Sequence, residues 1–201
     1  MIDGVIKYNF NFQLSQPLER SLFIDIEMIR KRIFTLNLIG VTDAGIGFGN
    51  ISQRIDSDRF VITGTQTGHL GDLDASHYAL IEAYSDQDFY LKSSGSIKPS
   101  SEALTHGTIY NLDPKIGAVI HIHSKAVWDF MLKETYLKTK DVPYGSIEMI
   151  DEVNRLFYKI EPLSNPKFAM TGHEEGVIVF GTTLADAELT LYKILREMGA
   201  F

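Results

Sequence analysis

Three histidines stand where the chain could hold a metal. His121 and His123 lie in Ala118-Val-Ile-His121-Ile-His123-Ser124, and His173 in Thr171-Gly-His173-Glu-Glu-Gly-Val-Ile-Val-Phe-Gly181. The first run reads as a buried strand, since small and apolar residues follow the break at Asp113-Pro114. Side chains two apart on a strand share a face, so His121 and His123 project together with Ile122 opposite. Two imidazoles on an apolar strand are costly to bury unless something satisfies them. A lone strand histidine is more often a hydrogen-bonded core residue than a ligand. Here there is a pair, and a third histidine follows Gly172 at the mouth of a second apolar strand, residues 177–180. Three neutral imidazoles with an open position make a catalytic zinc arrangement.

A carboxylate precedes them in Lys98-Pro99-Ser100-Ser101-Glu102. Pro99 and the two serines read as a helix start. Ser100 or Ser101 caps it, and Glu102 falls in the first turn, where the helix dipole favours negative charge. The alternative is a capping-box glutamate without chemistry. His106, four residues on, shares the helical face of Glu102 and reads as a packed residue or one that orients a ligand. The run Gly45-Ile-Gly47-Phe-Gly49-Asn50 is glycine-rich ahead of a strand, so its amides can approach an anion. On the residues alone, a turn that needs φ > 0 is the better reading of that run.

The elements that must position these groups follow from periodicity. Leu18, Leu22, Ile26, Ile29, Ile33 and Leu36 step by three or four, an amphipathic helix stopped by Gly40. Strand-like segments follow at residues 51–55, 60–63, 78–84 and 89–92. Helices are expected from Ser101, over 126–132 with Trp128 in the core, over 147–158, and after the 177–180 strand with Thr183 as cap. Antiparallel-looking strands flanked by helices make an α/β layered sandwich. Residues 1–16 lack periodicity and read as an N-terminal arm before a single domain at 17–201.

The 201 residues are 44% hydrophobic, enough for one domain with a full core. With no cysteine, any metal site must use nitrogen and oxygen. The net charge of -7 argues against nucleic acid, and no leader or membrane-length apolar run is seen. A cytoplasmic enzyme with a small-molecule substrate is the expectation.

Pro99-Ser-Ser-Glu102 followed by His106 and Tyr110, then His121-x-His123-Ser124, then His173 before Gly-Val-Ile-Val, resembles the class II aldolase/adducin family. The likeness extends to Gly49-Asn50-Ile51-Ser52-x-Arg54, Ile62-Thr63-Gly64-Thr65 and the closing Leu184-Ala-Asp-Ala187. It implies a three-layer α/β/α fold with a mainly antiparallel central sheet. It implies a divalent metal on His121, His123 and His173, with zinc favoured over manganese, iron or cobalt. Gly49, Asn50, Thr63, Gly64, Ser100 and Ser101 would form a phosphate pocket, and Glu102 would move the proton next to the substrate carbonyl. Tyr144 is the nearest candidate for a second proton carrier. The implied activity is retro-aldol cleavage of a sugar phosphate or hydroxy-ketone through a metal-stabilised enediolate. Epimerisation or dehydration on the same site, or an adducin-like interaction module, are the alternatives. Family enzymes of this kind are homotetramers with active sites at subunit interfaces, so Tyr144 is expected to reach toward a neighbour's metal. The stretch Thr65-Gln-Thr-Gly-His69-Leu-Gly-Asp72 is more elaborate than the family's short loop. His69 and His77 read as loop residues, and Glu174 and Glu175 as a solvated edge.

Overall fold

The strand that bears the histidine pair, β8 (Ala118–His123), lies inside an eight-stranded sheet. The computed structural model describes residues 8–133 and 135–200. The sheet contains β1 (Asn9–Leu14), β4 (Asn50–Arg54), β5 (Phe60–Thr63), β6 (Tyr78–Ser85), β7 (Tyr90–Gly95), β9 (Lys167–Ala169) and β10 (Gly176–Gly181). Their order is β1-β7-β6-β5-β4-β8-β10-β9. Only the β1–β7 pairing is parallel, so the sheet is mainly antiparallel. A separate hairpin joins β2 (Gly40–Val41) to β3 (Gly47–Phe48).

Two apolar cores, one on each face of the sheet, make three layers. One face buries Ile26, Ile29 and Ile33 of α1 (Ile24–Thr35), Val127 and Met131 of α3 (Lys125–Lys133), and Leu184, Ala187, Leu191 and Ile194 of α5 (Leu184–Glu197). The other buries Ala103, Leu104 and Ile109 of α2 (Ala103–Leu112) and Met149, Ile150, Val153 and Phe157 of α4 (Ile147–Phe157). Along β8, Ile120 and Ile122 enter the first core and Val119 the second. The alternation therefore sends His121 and His123 to the Val119 side, the side of α2.

Several boundaries differ from the periodicity. The first helix starts at Ile24, with a 3-10 turn over Arg20–Leu22 before it. It ends at Thr35, where Asn37 takes a left-handed φ of 57° and turns the chain; Gly40 already belongs to β2. Part of the expected arm, residues 9–14, is an edge strand paired with β7, and residues 1–7 lie outside the described residues. The glycine-rich run builds β3 and the bend into β4. Thr183 does cap α5, its side chain accepting from the Asp186 amide. Trp128 packs against the first core and donates from Nε1 to the Met170 carbonyl at 2.9 Å.

Candidate metal centre

The three histidine rings meet at one point. His123 Nε2 lies 3.1 Å from His121 Nε2 and 2.9 Å from His173 Nε2. Antiparallel register explains the meeting: β10 pairs His121 with Ile178 and His123 with Gly176, so the turn preceding β10 places His173 over the pair. That turn is tied by Met170 N to Gly176 O, His173 N to Met170 O and Gly176 N to His173 O. Gly176 is required there, because a Cβ would come within 2.8 Å of His173 Cδ2 and 2.9 Å of His173 O.

The protonation of the cluster suits a cation. His121 is fully buried, and burial pulls its pKa down to about 4 against a backbone bond that raises it. Burial, reinforced by His121, holds His123 at about 2. Both are neutral at pH 7. The acceptor Val177 O, 3.2 Å from His121 Nδ1, requires the proton on that nitrogen and leaves the Nε2 lone pair inward. Tetrahedral zinc with bonds of about 2.0–2.1 Å sets its ligand nitrogens about 3.3 Å apart. The observed separations are within a few tenths of an ångström of that value. Among the described residues, His121, His123 and His173 form the one histidine and acidic cluster suited to an ion.

Glu102 joins the cluster. It is 4% exposed, and its Oε2 lies 3.1 Å from His121 Nε2 while accepting from Asn50 Nδ2 at 2.8 Å. Its Oε1 is 3.9 Å from His173 Nε2. The residue is the N-cap of α2, one position before the first turn, and its side chain makes no capping bond. Ser100 caps locally instead, its Oγ accepting from Glu102 N. Tyr144 stacks on His173 of its own chain, ring centroids 4.1 Å apart, and is 8% exposed. Close backbone packing sets this contact: a Cβ on Gly172 would meet Val142 O at 2.2 Å, and one on Gly145 would meet Ser101 O at 2.9 Å.

A cleft opens above these groups. Gly49, Asn50, Gly64, Ser100 and Ser101 line it, as do Glu102, His123, Tyr144 and His173. Thr63 does not; its hydroxyl turns to the strand ladder and accepts from Ile51 N at 3.2 Å. Thr65, Gln66, Thr67 and Gly68 line the cleft instead. In the sequence that stretch stands out only as an elaboration. Among the described residues no lysine or arginine lines the cleft, so beside the buried Glu102 carboxylate a divalent ion would supply the positive charge. The donor set fits such an ion. His106 lies below, its Nδ1 2.7 Å from Ser52 Oγ, which is 2.7 Å from Tyr110 OH. His69 lies in a loop against Gln66 O and His77 ends a 3-10 turn, Ala75–His77, against Asp74; neither belongs to the cluster.

An eight-stranded sheet between two helical layers, with three imidazoles and a carboxylate at the mouth of one cleft, defines a class of metal-site α/β enzymes. The family model for the Class II Aldolase and Adducin N-terminal domain matches residues 44–196, and the chain belongs to that family. It is 28% identical over 161 residues to 3-oxo-tetronate 4-phosphate decarboxylase of Haemophilus influenzae, covering 70% of each chain. It is 41% identical over 78 residues to methylthioribulose-1-phosphate dehydratase of Granulibacter bethesdensis, a match spanning 39% of this chain and 34% of that one. The sugar-phosphate aldolase of Thermotoga maritima shares the fold, with a TM-score of 0.69 at 16% identity over 90% of this chain and 93% of that one. The L-fuculose-1-phosphate aldolase of Thermus thermophilus does so at 0.62 and 17%, over 90% and 94%. These named relatives are enzymes.

Proposed function

We propose that the chain is a metal-dependent aldehyde-lyase that cleaves a small phosphorylated hydroxy-ketone by a retro-aldol reaction. One observation carries the reading: a buried carboxylate, Glu102, stands 3.1 Å from a histidine of a three-imidazole cluster at the mouth of a cleft. His121, His123 and His173 would hold the ion, zinc ahead of manganese, iron or cobalt, and a bound ion supplies Lewis-acid stabilisation of negative charge on substrate oxygens. Glu102 handles the proton at the carbon next to the carbonyl. In the synthetic direction it removes that proton, and in cleavage it returns it after the carbon–carbon bond has broken. Asn50 holds the Glu102 carboxylate in place through its 2.8 Å bond. Tyr144, stacked on His173, is the proposed proton carrier for the departing aldehyde oxygen. Hydroxyls of Ser100 and Ser101 and amides near Gly49 and Gly64 receive the phosphate, without a basic side chain.

A second reading, loss of water or of carbon dioxide from a sugar phosphate, is favoured by the names of the dehydratase and decarboxylase relatives. All three reactions draw on the same carboxylate and the same charge stabilisation. Metal-loaded protein is to be offered a ketohexose 1-phosphate, a methylthioribulose 1-phosphate and a 3-oxo-tetronate 4-phosphate. Aldehyde release from the first supports the proposal, and turnover of either other compound alone reassigns the bond that breaks. No turnover of any of the three overturns the proposed substrate class. Elemental analysis is the companion test, with about one divalent ion per chain expected and most of it lost in His121→Ala, His123→Ala. Unchanged metal in that double variant would refute the ligand set.

We further propose a cytoplasmic homotetramer that meets neither nucleic acid nor membrane. Support comes from the acidic net charge and from the described residues, where no helix is long and apolar enough to cross a membrane. Light scattering at micromolar concentration should give about 90 kDa, four times 22.6 kDa. A mass near that of one chain overturns the assembly.

A further inference from the structure

The cleft has a wall that the proton chemistry leaves unused. Thr65, Gln66, Thr67 and Gly68 form it, in the loop between β5 and β6. Two buried charges on α1 hold this loop. Arg30, 1% exposed, donates to Thr67 O at 3.1 Å, Leu70 O at 2.6 Å and Gly71 O at 3.3 Å. Glu27 accepts from Leu73 N at 2.9 Å and from Tyr78 OH at 2.7 Å. The loop also lies directly on the β2–β3 hairpin, since a Cβ on Gly68 would meet Gly40 O at 2.1 Å. A loop fixed on two sides by buried groups is a preorganised surface.

Gln66 is the unusual residue on it. Its φ of 58° lies in the left-handed region, where a residue other than glycine is uncommon and where functional sites concentrate. Its side-chain Oε1 accepts from Gly47 N at 2.7 Å. A backbone N–H only donates, so this bond fixes which end of the carboxamide faces the hairpin. The Nε2 end has no hydrogen-bond partner among the described residues. Two neighbouring polar groups of the cleft are already engaged, Thr67 Oγ1 donating to Gly64 O and Asn50 Nδ2 to Glu102, which leaves Gln66 Nε2 to act beside the Ser100 and Ser101 hydroxyls. Among the described residues no lysine or arginine lines the cleft, so an anion there that does not reach the ion is met by neutral donors.

We propose that Gln66 is a specificity-determining residue. Its carboxamide, oriented by Gly47 on a loop anchored by Arg30 and Glu27, donates from Nε2 to the phosphate of the substrate. This rests on the proposed function, which makes the substrate a phosphorylated hydroxy-ketone. The test is calorimetric binding of dihydroxyacetone phosphate and of unphosphorylated dihydroxyacetone to metal-loaded protein. Gln66→Gly relieves the backbone and removes the amide. Gln66→Glu keeps an acceptor for Gly47 N and replaces the donor with a negative charge. The expected result is that wild type prefers the phosphate, that Gln66→Gly weakens phosphate binding about tenfold, and that Gln66→Glu weakens it further. Binding of the unphosphorylated triose, metal content and melting temperature should hold in Gln66→Gly. Phosphate preference intact in both variants overturns the role of Gln66 alone. A wild type that does not prefer the phosphate overturns the underlying reading together with this one.

Discussion

A neutral imidazole offers one lone pair, and the carbonyl of Val177 decides which nitrogen of His121 offers it. Such a choice cannot be read from residue types, yet the shared face of His121 and His123 can, because a strand alternates with period two. The sequence also pointed to Glu102 but misplaced it by one position, in the first turn of a helix that begins at Ala103. The difference matters: a first-turn carboxylate serves the helix, whereas this one is turned to the histidines and pinned by Asn50. Thr63 and Gln66 were illegible for a related reason. A polar side chain one or two residues from Gly64 can face the ladder or the cleft, and the backbone path decides. At this scale the test is Glu102→Gln, which preserves shape and an acceptor for Asn50 while removing the base. Turnover of whatever substrate is found should fall by roughly two to four orders of magnitude, with metal content and melting temperature held. A variant that works at near wild-type rate reduces Glu102 to a structural neighbour of the ligands.

Elements were legible in proportion to their length. The long helices α4 and α5 and the strands β4 to β8 announce themselves through periodicity, because burial of one face needs a sustained pattern. The pairs β2 and β3 have two residues each and β9 three, too short to show any period. Residues 9–14, Asn-Phe-Asn-Phe-Gln-Leu, do alternate polar and apolar along the sheet edge, a period-two signal that the reading of an arm passes over. Yet a short element can set the site. The turn into β10 works only because Gly176 has no side chain between His173 and His121, whose Cε1 would lie 3.2 Å from a Cβ there. In Gly176→Ala the His173 carbonyl must move, and His173 moves with it. The expected cost is about 1–3 kcal/mol of stability and a fall in metal affinity of roughly 10- to 100-fold. Competition with a chelator measures the second quantity, and an affinity equal to wild type would show that the turn does not position His173.

At the scale of the molecule, a layered α/β sandwich was legible because helix and strand patterns alternate, and three layers followed only from the family resemblance; the order of strands was not legible, since it depends on contacts distant in sequence. The same holds for the tie between α4 and the segment leading to Tyr144. Glu152 of α4 accepts from Lys140 N at 2.8 Å and from Arg155 Nη2 at 2.7 Å. Arg155 in turn reaches Lys138 O at 3.4 Å. The hydrogen bonds from Arg155, opposed by burial, hold the Glu152 pKa at about 2, below its ordinary 4.5. A carboxylate whose folded pKa is depressed stabilises the fold above its unfolded pKa, and that contribution is lost as pH falls through the folded value. The window is therefore about pH 4.5 down to about 2. With Arg155 half exposed and screened, the contribution at neutral pH is on the order of 1–2 kcal/mol. Glu152→Gln should be less stable than wild type by that amount at pH 7, and the two urea unfolding curves should converge as pH drops below 4. A gap that stays constant from pH 7 to pH 3 would assign the loss to packing instead of charge. The variant should also loosen Tyr144 against His173, because the 138–140 segment that α4 restrains leads directly into Val142 and the turn at Gly172. Proton-carrier function and acid stability would then weaken together, although Glu152 takes no part in lining the cleft.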